Sequence, residues 1–426
     1  MTGSRRVSVT EPVRTESTAA TEPASVGDVL RNFNFVIYYA TTFISNAGTF
    51  MQGVGVPFVM YELTKSNTWV GASVFAVMIP SFLMGPIVGT LADRRDRRMI
   101  LLGSSIVQLI AATALWLLAI NDALTPWRIV GCLVVAGFGA GFQNATAHAL
   151  IPLLVPHEQL MPAIRLNAVN FNVARVIGPV AGSLVLTHWG YRATFAMNAI
   201  SFVVVIAGLL LVRPRRLVYS GEHEPWLRAF MTSVQYVWSR RAMRQLILFS
   251  FMMSAFGASV WQLTAGLVAE DYHAAKGGIG YLIAAFGVGA SAAGLTLLAR
   301  GNNFRRSRTT LAGIGTYSVG AIVTVITPYI GVGLIGFALM GAAHSLGGVA
   351  STSTLQTQVS EDFRGRVLAL FIMSSFVGIP LGSVGGGRLG DAFGLRPTLA
   401  AYGLALGLYC LYAIVRLDRL RLFDNS

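Results

Sequence analysis

Arg175 stands inside an otherwise apolar block, with Gly178-Pro179 one turn further on. A guanidinium at such a position costs about 2.5–3.5 kcal/mol on insertion scales unless it meets water, a carboxylate or backbone carbonyls. No Asp or Glu inside an apolar block is evident as its partner. Three uses stay open: it caps carbonyls freed by Pro179, it meets polar side chains such as Gln143 and Asn144, or it meets an anionic ligand group. Other polar groups within apolar blocks are few: Asn46 and Gln52, then Gln143, Asn144 and His148, then Trp261 and Gln262, then His344. Together they suit the walls of a mixed apolar and aromatic cavity. Taken singly, each reads first as a packing residue.

A second concentration of charge lies at residues 89–98, Gly-Thr-Leu-Ala-Asp-Arg-Arg-Asp-Arg-Arg. Asp93 among Arg94, Arg97 and Arg98 can accept from arginine and from a helix N-terminus, holding one packing of neighbouring helices. The bland alternative is a basic stop signal. Catalytic chemistry is disfavoured: no nucleophile–base set and no His/Cys ligand cluster is visible, so no metal and no cofactor is expected. No Gly-x-x-x-x-Gly-Lys-Ser/Thr loop occurs. Cys132 and Cys410 both fall in apolar blocks and read as small buried side chains.

The elements that must position these residues follow from composition. Of 426 residues, 54% are hydrophobic and 12% charged, against about 25% charged in a soluble protein. A bilayer tolerates that balance, and in it every backbone group must bond internally. Long apolar blocks such as Met99 to Ile120, rather than short alternating segments, favour helices over a barrel. Twelve spans are expected near 33–62, 68–91, 99–119, 127–150, 161–187 and 191–212, then 246–270, 278–299, 309–327, 329–357, 365–388 and 395–415. The chain thus reads as an all-α membrane protein: a disordered cytoplasmic tail over 1–32, a six-helix bundle over 33–212, a linker over 213–245, a second bundle over 246–416, and a tail over 417–426.

The linker is basic and carries Trp226, Phe230, Tyr236 and Trp238 at helical spacing. An amphipathic helix lying on an anionic leaflet fits it; a solvated linker helix is the alternative. With the N-terminus inside, Lys and Arg number 25 in the inner segments and six in the outer ones. That asymmetry puts both termini and the linker in the cytoplasm. The net charge of +14 is thereby a topology device, and no nucleic-acid partner is expected. A cysteine at Asn67 is expected to be reachable from outside.

The two halves carry traces of a repeat. Arg165 and Arg366 are 201 residues apart, as are Pro179 and Pro380, and Gly190-Tyr191-Arg192-Ala193-Thr194 matches Gly394-Leu395-Arg396-Pro397-Thr398. The same offset pairs Gln143 with His344, which are expected to face each other across a cavity. Repeats of this kind place a ligand site between the halves near the bilayer midplane.

Residues 89–98 resemble the loop motif of the major facilitator superfamily, Gly-x-Leu-Ala-Asp-Arg-x-Gly-Arg-Lys. Gly89, Leu91, Ala92, Asp93, Arg94 and Arg97 match, Arg98 stands for Lys, and Asp96 departs from the family's Gly. The resemblance covers the chain after residue 30. With the run from Asn167 to Gly182, it is similar to the branch of enterobactin-type siderophore exporters and macrolide efflux proteins. Residues 174–183 resemble the antiporter motif Gly-x-x-x-Gly-Pro-x-x-Gly-Gly, with Gly178, Pro179 and Gly182 matching and Ala174 and Ser183 replacing glycines. Ordinary close helix packing remains the alternative for that stretch. Leu133 stands where the family's proton-antiport motif has Arg.

The resemblance implies a secondary active exporter of small amphipathic molecules, of drug or siderophore type, coupled to protons or sodium. It implies a monomer in the bacterial inner membrane, in contact with lipid. An uptake symporter and a transporter-like sensor that moves nothing are the alternatives.

Overall fold

The computed structural model describes residues 25–92, 95–215, 226–272, 278–300 and 305–415, and among them the chain is entirely helical or irregular. Helix α1 (Val26–Leu30) and α2 (Phe33–Thr64) open the chain. They are followed by α3 (Asn67–Ala92), α4 (Arg97–Ile120), α5 (Pro126–Leu154) and α6 (Leu160–Leu211). After α7 (Trp226–Ser239) come α8 (Arg241–Asp271), α9 (Gly278–Arg300) and α10 (Arg306–Ile326). Helices α11 (Ile330–Gln358), α12 (Glu361–Phe393) and α13 (Leu395–Val415) complete the series. Ten stretches among the described residues are long and apolar enough to cross a membrane.

Local chemistry sets the helix starts. Asn32 accepts from the Phe35 N–H to begin α2, Asp96 from the Arg98 N–H to begin α4, and Thr125 from the Arg128 N–H just before Pro126 begins α5. Each side chain satisfies one amide that the helix itself cannot. Residues 25–32, expected to be disordered, are not. Ser25 and Asp28 form a reciprocal capping box, and Val29 is buried against the first half.

Two glycines shape the chain reversals. Gly190 has φ 77° and ψ 177° inside the long stretch of α6, and Gly394 has φ 91° between α12 and α13. A side chain is strongly disfavoured in this backbone region. These are the glycines that the internal repeat pairs. Gly190 divides α6 into two arms that run back along each other's direction without a loop.

In the first half, α3 packs on α5, α4 on α5 and α6, and α2 on α6. In the second, α9 and α10 pack on α11 and α10 on α13. The halves touch where α3 meets α12 and where α6 meets α9. The end at which α2 gives way to α3 is here the far end; the end from which α2 starts is the tail end. Helix α7 lies at the tail end, held to the second half. Tyr236 stacks on Phe363 at 4.3 Å, and Val237 is buried, while Trp238 and Met231 are exposed. The second half starts earlier than expected, at Arg241, because Met243 belongs to the same buried cluster as Val237.

Gly190→Ala should destabilise the protein by about 1–3 kcal/mol, seen as a lower midpoint of thermal unfolding in detergent. Gly103→Ala, in an open helical position with no neighbouring atom to meet, should leave the midpoint unchanged or raise it slightly.

Candidate translocation cavity and its gate

At the far end the halves are joined by hydrogen bonds to two carboxylates. Asp391, near the C-terminus of α12, accepts from Ser66 Oγ at 2.5 Å, from the Asn67 N–H at 2.6 Å and from the Thr68 N–H at 3.0 Å. It therefore caps the N-terminus of α3, a helix of the other half, where free amides and the helix dipole both favour a negative charge. Glu270, at the end of α8, accepts from the Tyr61 hydroxyl at 2.6 Å and from Asn67 Nδ2 at 2.9 Å. The Gly280 N–H donates to Ser183 Oγ at 3.0 Å. Nearby, Arg396 pairs with Asp271 at 3.0 Å. Asn67 is 1% exposed, so the expectation that it is reachable from outside is corrected: it is the centre of the seal.

Neither Asp391 nor Glu270 is among the sequence candidates, because each reads as the polar end of a span. A signal existed. Gly387-Arg-Leu-Gly-Asp391 repeats the Gly-x-Leu-small-Asp pattern of Gly89 to Asp93.

At the tail end, Asp93 and Arg94 lie outside the described residues, and Gly89 lies in the last turns of α3. Arg97 Nη1 donates to the Ala149 carbonyl at 2.7 Å. Arg98 donates through Nε to the Leu209 carbonyl at 2.6 Å and through Nη2 to the Leu210 carbonyl at 2.7 Å. The two arginines tie α4 to the C-terminal parts of α5 and α6; the Leu209 and Leu210 carbonyls, in the last turn of α6, are ones the helix itself leaves without a donor and where positive charge is favoured.

Below the far-end seal lies a cavity of 310 Å³ whose walls include Gln52, Gln108, Pro179, Asn198, Trp261 and Gln262. Asn198 Nδ2 donates to Gln52 Oε1 at 2.7 Å. Leu133, at the position of the family's Arg, is part of the apolar wall. A second cavity, of 430 Å³, is bounded by Arg175, Phe286, His344 and again Trp261. Trp261 and Ile283 line both spaces. Trp261 and Gln262 lie on a short α-helical turn of α8, bracketed by the wide π-helical turns Met253–Ala258 and Leu267–Asp271. Such turns are rare and concentrate at functional sites.

The sequence candidates divide accordingly. Gln52, Trp261, Gln262, His344 and Arg175 line the cavities, whereas Asn46, Gln143 and Asn144 do not. Gln143 is turned to Gln108, which donates to it from α4, instead of facing His344. Arg175 lies 5.5 Å from the Trp261 ring centre and makes no hydrogen bond or ion pair among the described residues. Gly178 and Gly182 face α2: a Cβ on Gly178 would fall 2.6 Å from Phe50 Cβ, and one on Gly182 2.8 Å from Met51 Cα. Their absence of a side chain is what lets α6 lie against α2.

A helical bundle in two halves, with a cavity between them and a seal at one end, defines a membrane transporter of the major facilitator superfamily, not an enzyme. The chain matches the family described as transmembrane secretion effector over residues 25–425 and belongs to it. It is similar to macrolide efflux protein A of Streptococcus pyogenes, 21% identical over 80% of this chain and 86% of the relative. It is also similar to the enterobactin exporter EntS of Salmonella typhimurium, 24% identical over 92% and 94%. Among solved structures, a bacterial homologue of the human lysosomal transporter Spinster, inward-facing and unoccupied, shares the fold. Its TM-score is 0.74 with 15% identity, over 93% of this chain and 98% of that one. The nucleoside transporter NupG superposes with a TM-score of 0.73 and 11% identity, over 92% and 100%.

Asp391→Asn should weaken the far-end seal. Loss of a charged cap costs about 1–2 kcal/mol, a five- to thirty-fold change in the ratio of closed to open forms. Spin labels at Asn121→Cys and Tyr329→Cys, on opposite halves at this end, should report a longer distance population that Asp391→Glu largely suppresses. An unchanged distance distribution would show that the carboxylate is not what holds the halves together.

Proposed function

We propose that this protein is a secondary active transporter that exports small amphipathic molecules across the bacterial inner membrane by alternating access. Twelve spans in two pseudo-symmetric bundles carry it: α2 to α6, with α6 crossing twice around Gly190, and α8 to α13. The 25-to-6 distribution of Lys and Arg supports a cytoplasmic tail end, with the far end outside. The observation that carries the reading is the far-end seal above a cavity between the halves. In that state the ligand space is closed to the outside. Release there requires the bonds of Asp391 and Glu270 to break while the halves rock about the midplane. The relatives named as an efflux protein and an exporter support the outward direction.

The coupling ion is a proton or sodium. Leu133 in place of the family's Arg means that coupling runs through another group. Asp93 belongs to the complementary tail-end gate, where its carboxylate closes the cytoplasmic side in the opposite state. The protein works as a monomer in contact with anionic lipid, which the exposed Trp238 of α7 and the exposed Arg240, Arg241 and Arg244 that follow it suit.

Purified protein in proteoliposomes, with imposed proton or sodium gradients and a panel of drugs and siderophores, tests the activity. Export coupled to one of the two gradients is the expected result; movement of the compound in the same direction as the ion would make it a symporter, and no movement of any compound would favour a sensor.

Topology has a separate check. A cysteine at Asn121 should react with an impermeant thiol reagent in intact cells, while one at Gln235 on α7 should resist it until the membrane is opened. Labelling at Gln235 from outside would overturn the six-plus-six arrangement.

A further inference from the structure

The midplane cavity has a chemical character that the transporter reading alone does not supply. Arg175 projects from the first half toward Trp261 of the second, 5.5 Å from its ring centre. Trp261 stacks on Phe286 at 5.7 Å and 24°, and Phe286 lies 5.8 Å from the His344 ring. An aromatic row thus runs from the guanidinium across the second half. No Asp or Glu is among the residues lining either cavity. Arg175 has no hydrogen-bonding or ionic partner among the described residues, and it borders a space of 430 Å³.

A guanidinium carries five N–H donors in a planar fork. Arg175 is only partly buried, and with no protein acceptor among the described residues the face of Trp261 offsets only part of the cost of placing it between apolar helices. A carboxylate entering the cavity offers two parallel hydrogen bonds and a compensating charge in a poorly screened space. A positively charged ligand meets the same guanidinium with no carboxylate to offset it. The aromatic row provides flat, apolar contact to a ring attached to that carboxylate.

We propose that Arg175 and the Trp261–Phe286–His344 row form a subsite for aromatic organic anions, selecting a planar ring that bears a carboxylate or a similar acidic group over its neutral or cationic counterpart. The subsite rests on the transporter reading in one respect: it is the place where the moved molecule is held at mid-membrane.

The test uses three compounds of one shape: 2-naphthoate, its primary amide 2-naphthamide, and the cation 2-naphthylmethylammonium, with octanoate as an anion lacking a ring. Binding to the purified full chain in neutral detergent is measured by calorimetry. Unsubstituted protein should bind 2-naphthoate about ten- to hundred-fold more tightly than the amide, the range expected of hydrogen bonds to a charged group, and the cation and octanoate more weakly than 2-naphthoate. Arg175→Gln should reduce the naphthoate-to-amide ratio to near one. Arg175→Lys should retain part of the preference, since it keeps the charge and loses the fork.

The ligand series on the unsubstituted protein requires no variant to fold. Equal binding of acid and amide, preference for the cation, octanoate binding as tightly as naphthoate, or no binding of any of the four would each overturn the subsite. A ratio unchanged in folded Arg175→Gln would also overturn it. Transport and binding fail separately. Export without any charge preference would leave the exporter reading intact and remove the subsite. An Arg175-dependent preference in a protein that moves nothing would leave the subsite and remove the exporter.

Discussion

A helix in hydrocarbon satisfies its own backbone everywhere except at its two ends. That constraint organises the polar chemistry of this protein. Asp96 and Thr125 occupy the amide ends of α4 and α5. Arg97 and Arg98 occupy carbonyls toward the ends of α5 and α6. Asp391 does the same for α3, but from the other half of the molecule. A cap within one half makes that half rigid. A cap supplied across the boundary makes a contact that exists only while the halves are together. The same physical need yields both the stiffness of each bundle and the joint between them.

Within the bundles, packing depends on close approach more than on apolar attraction, since lipid is as apolar as the helix surface. Gly178 and Gly182 bring α6 against α2 on one side. Three residues before Gly178, and so close to the same face of the helix, Arg175 reaches the cavity. One short segment therefore anchors the helix and presents a charge to the ligand space. The wide turns of α8 act differently. They place Trp261 where, with Ile283, it borders both cavities.

The helical architecture was largely legible in the sequence, because burial in lipid demands continuous apolar blocks and the positive-inside bias is written in residue type. Gly190 and Gly394 were marked by the repeat, and both proved to carry positive φ. The cavity was legible in part. Gln52, Trp261, Gln262, His344 and Arg175 line it, since a polar residue in an apolar block needs a reason. Gln143 had another reason, a partner in Gln108, which no spacing rule reveals because the two lie on different helices. Asp391 and Glu270 escaped notice because an acid at a span end looks like ordinary contact with water. Only the packing of α12 against α3 shows that Asp391, itself still exposed, also holds the amides of the other half. The order in residues 25–32 escaped for a related reason: Val29 in a polar stretch signals burial only once a partner surface is known.

Two of the three donors that Asp391 receives are backbone amides, those of Asn67 and Thr68. Backbone amides are supplied by any residue except proline. These two bonds therefore do not depend on residue type, whereas the side-chain bond of Asn67 to Glu270 and the carboxylate at position 391 do. The joint thus draws part of its strength from the backbone and the rest from a handful of side chains, those of Ser66, Asn67, Glu270 and Asp391.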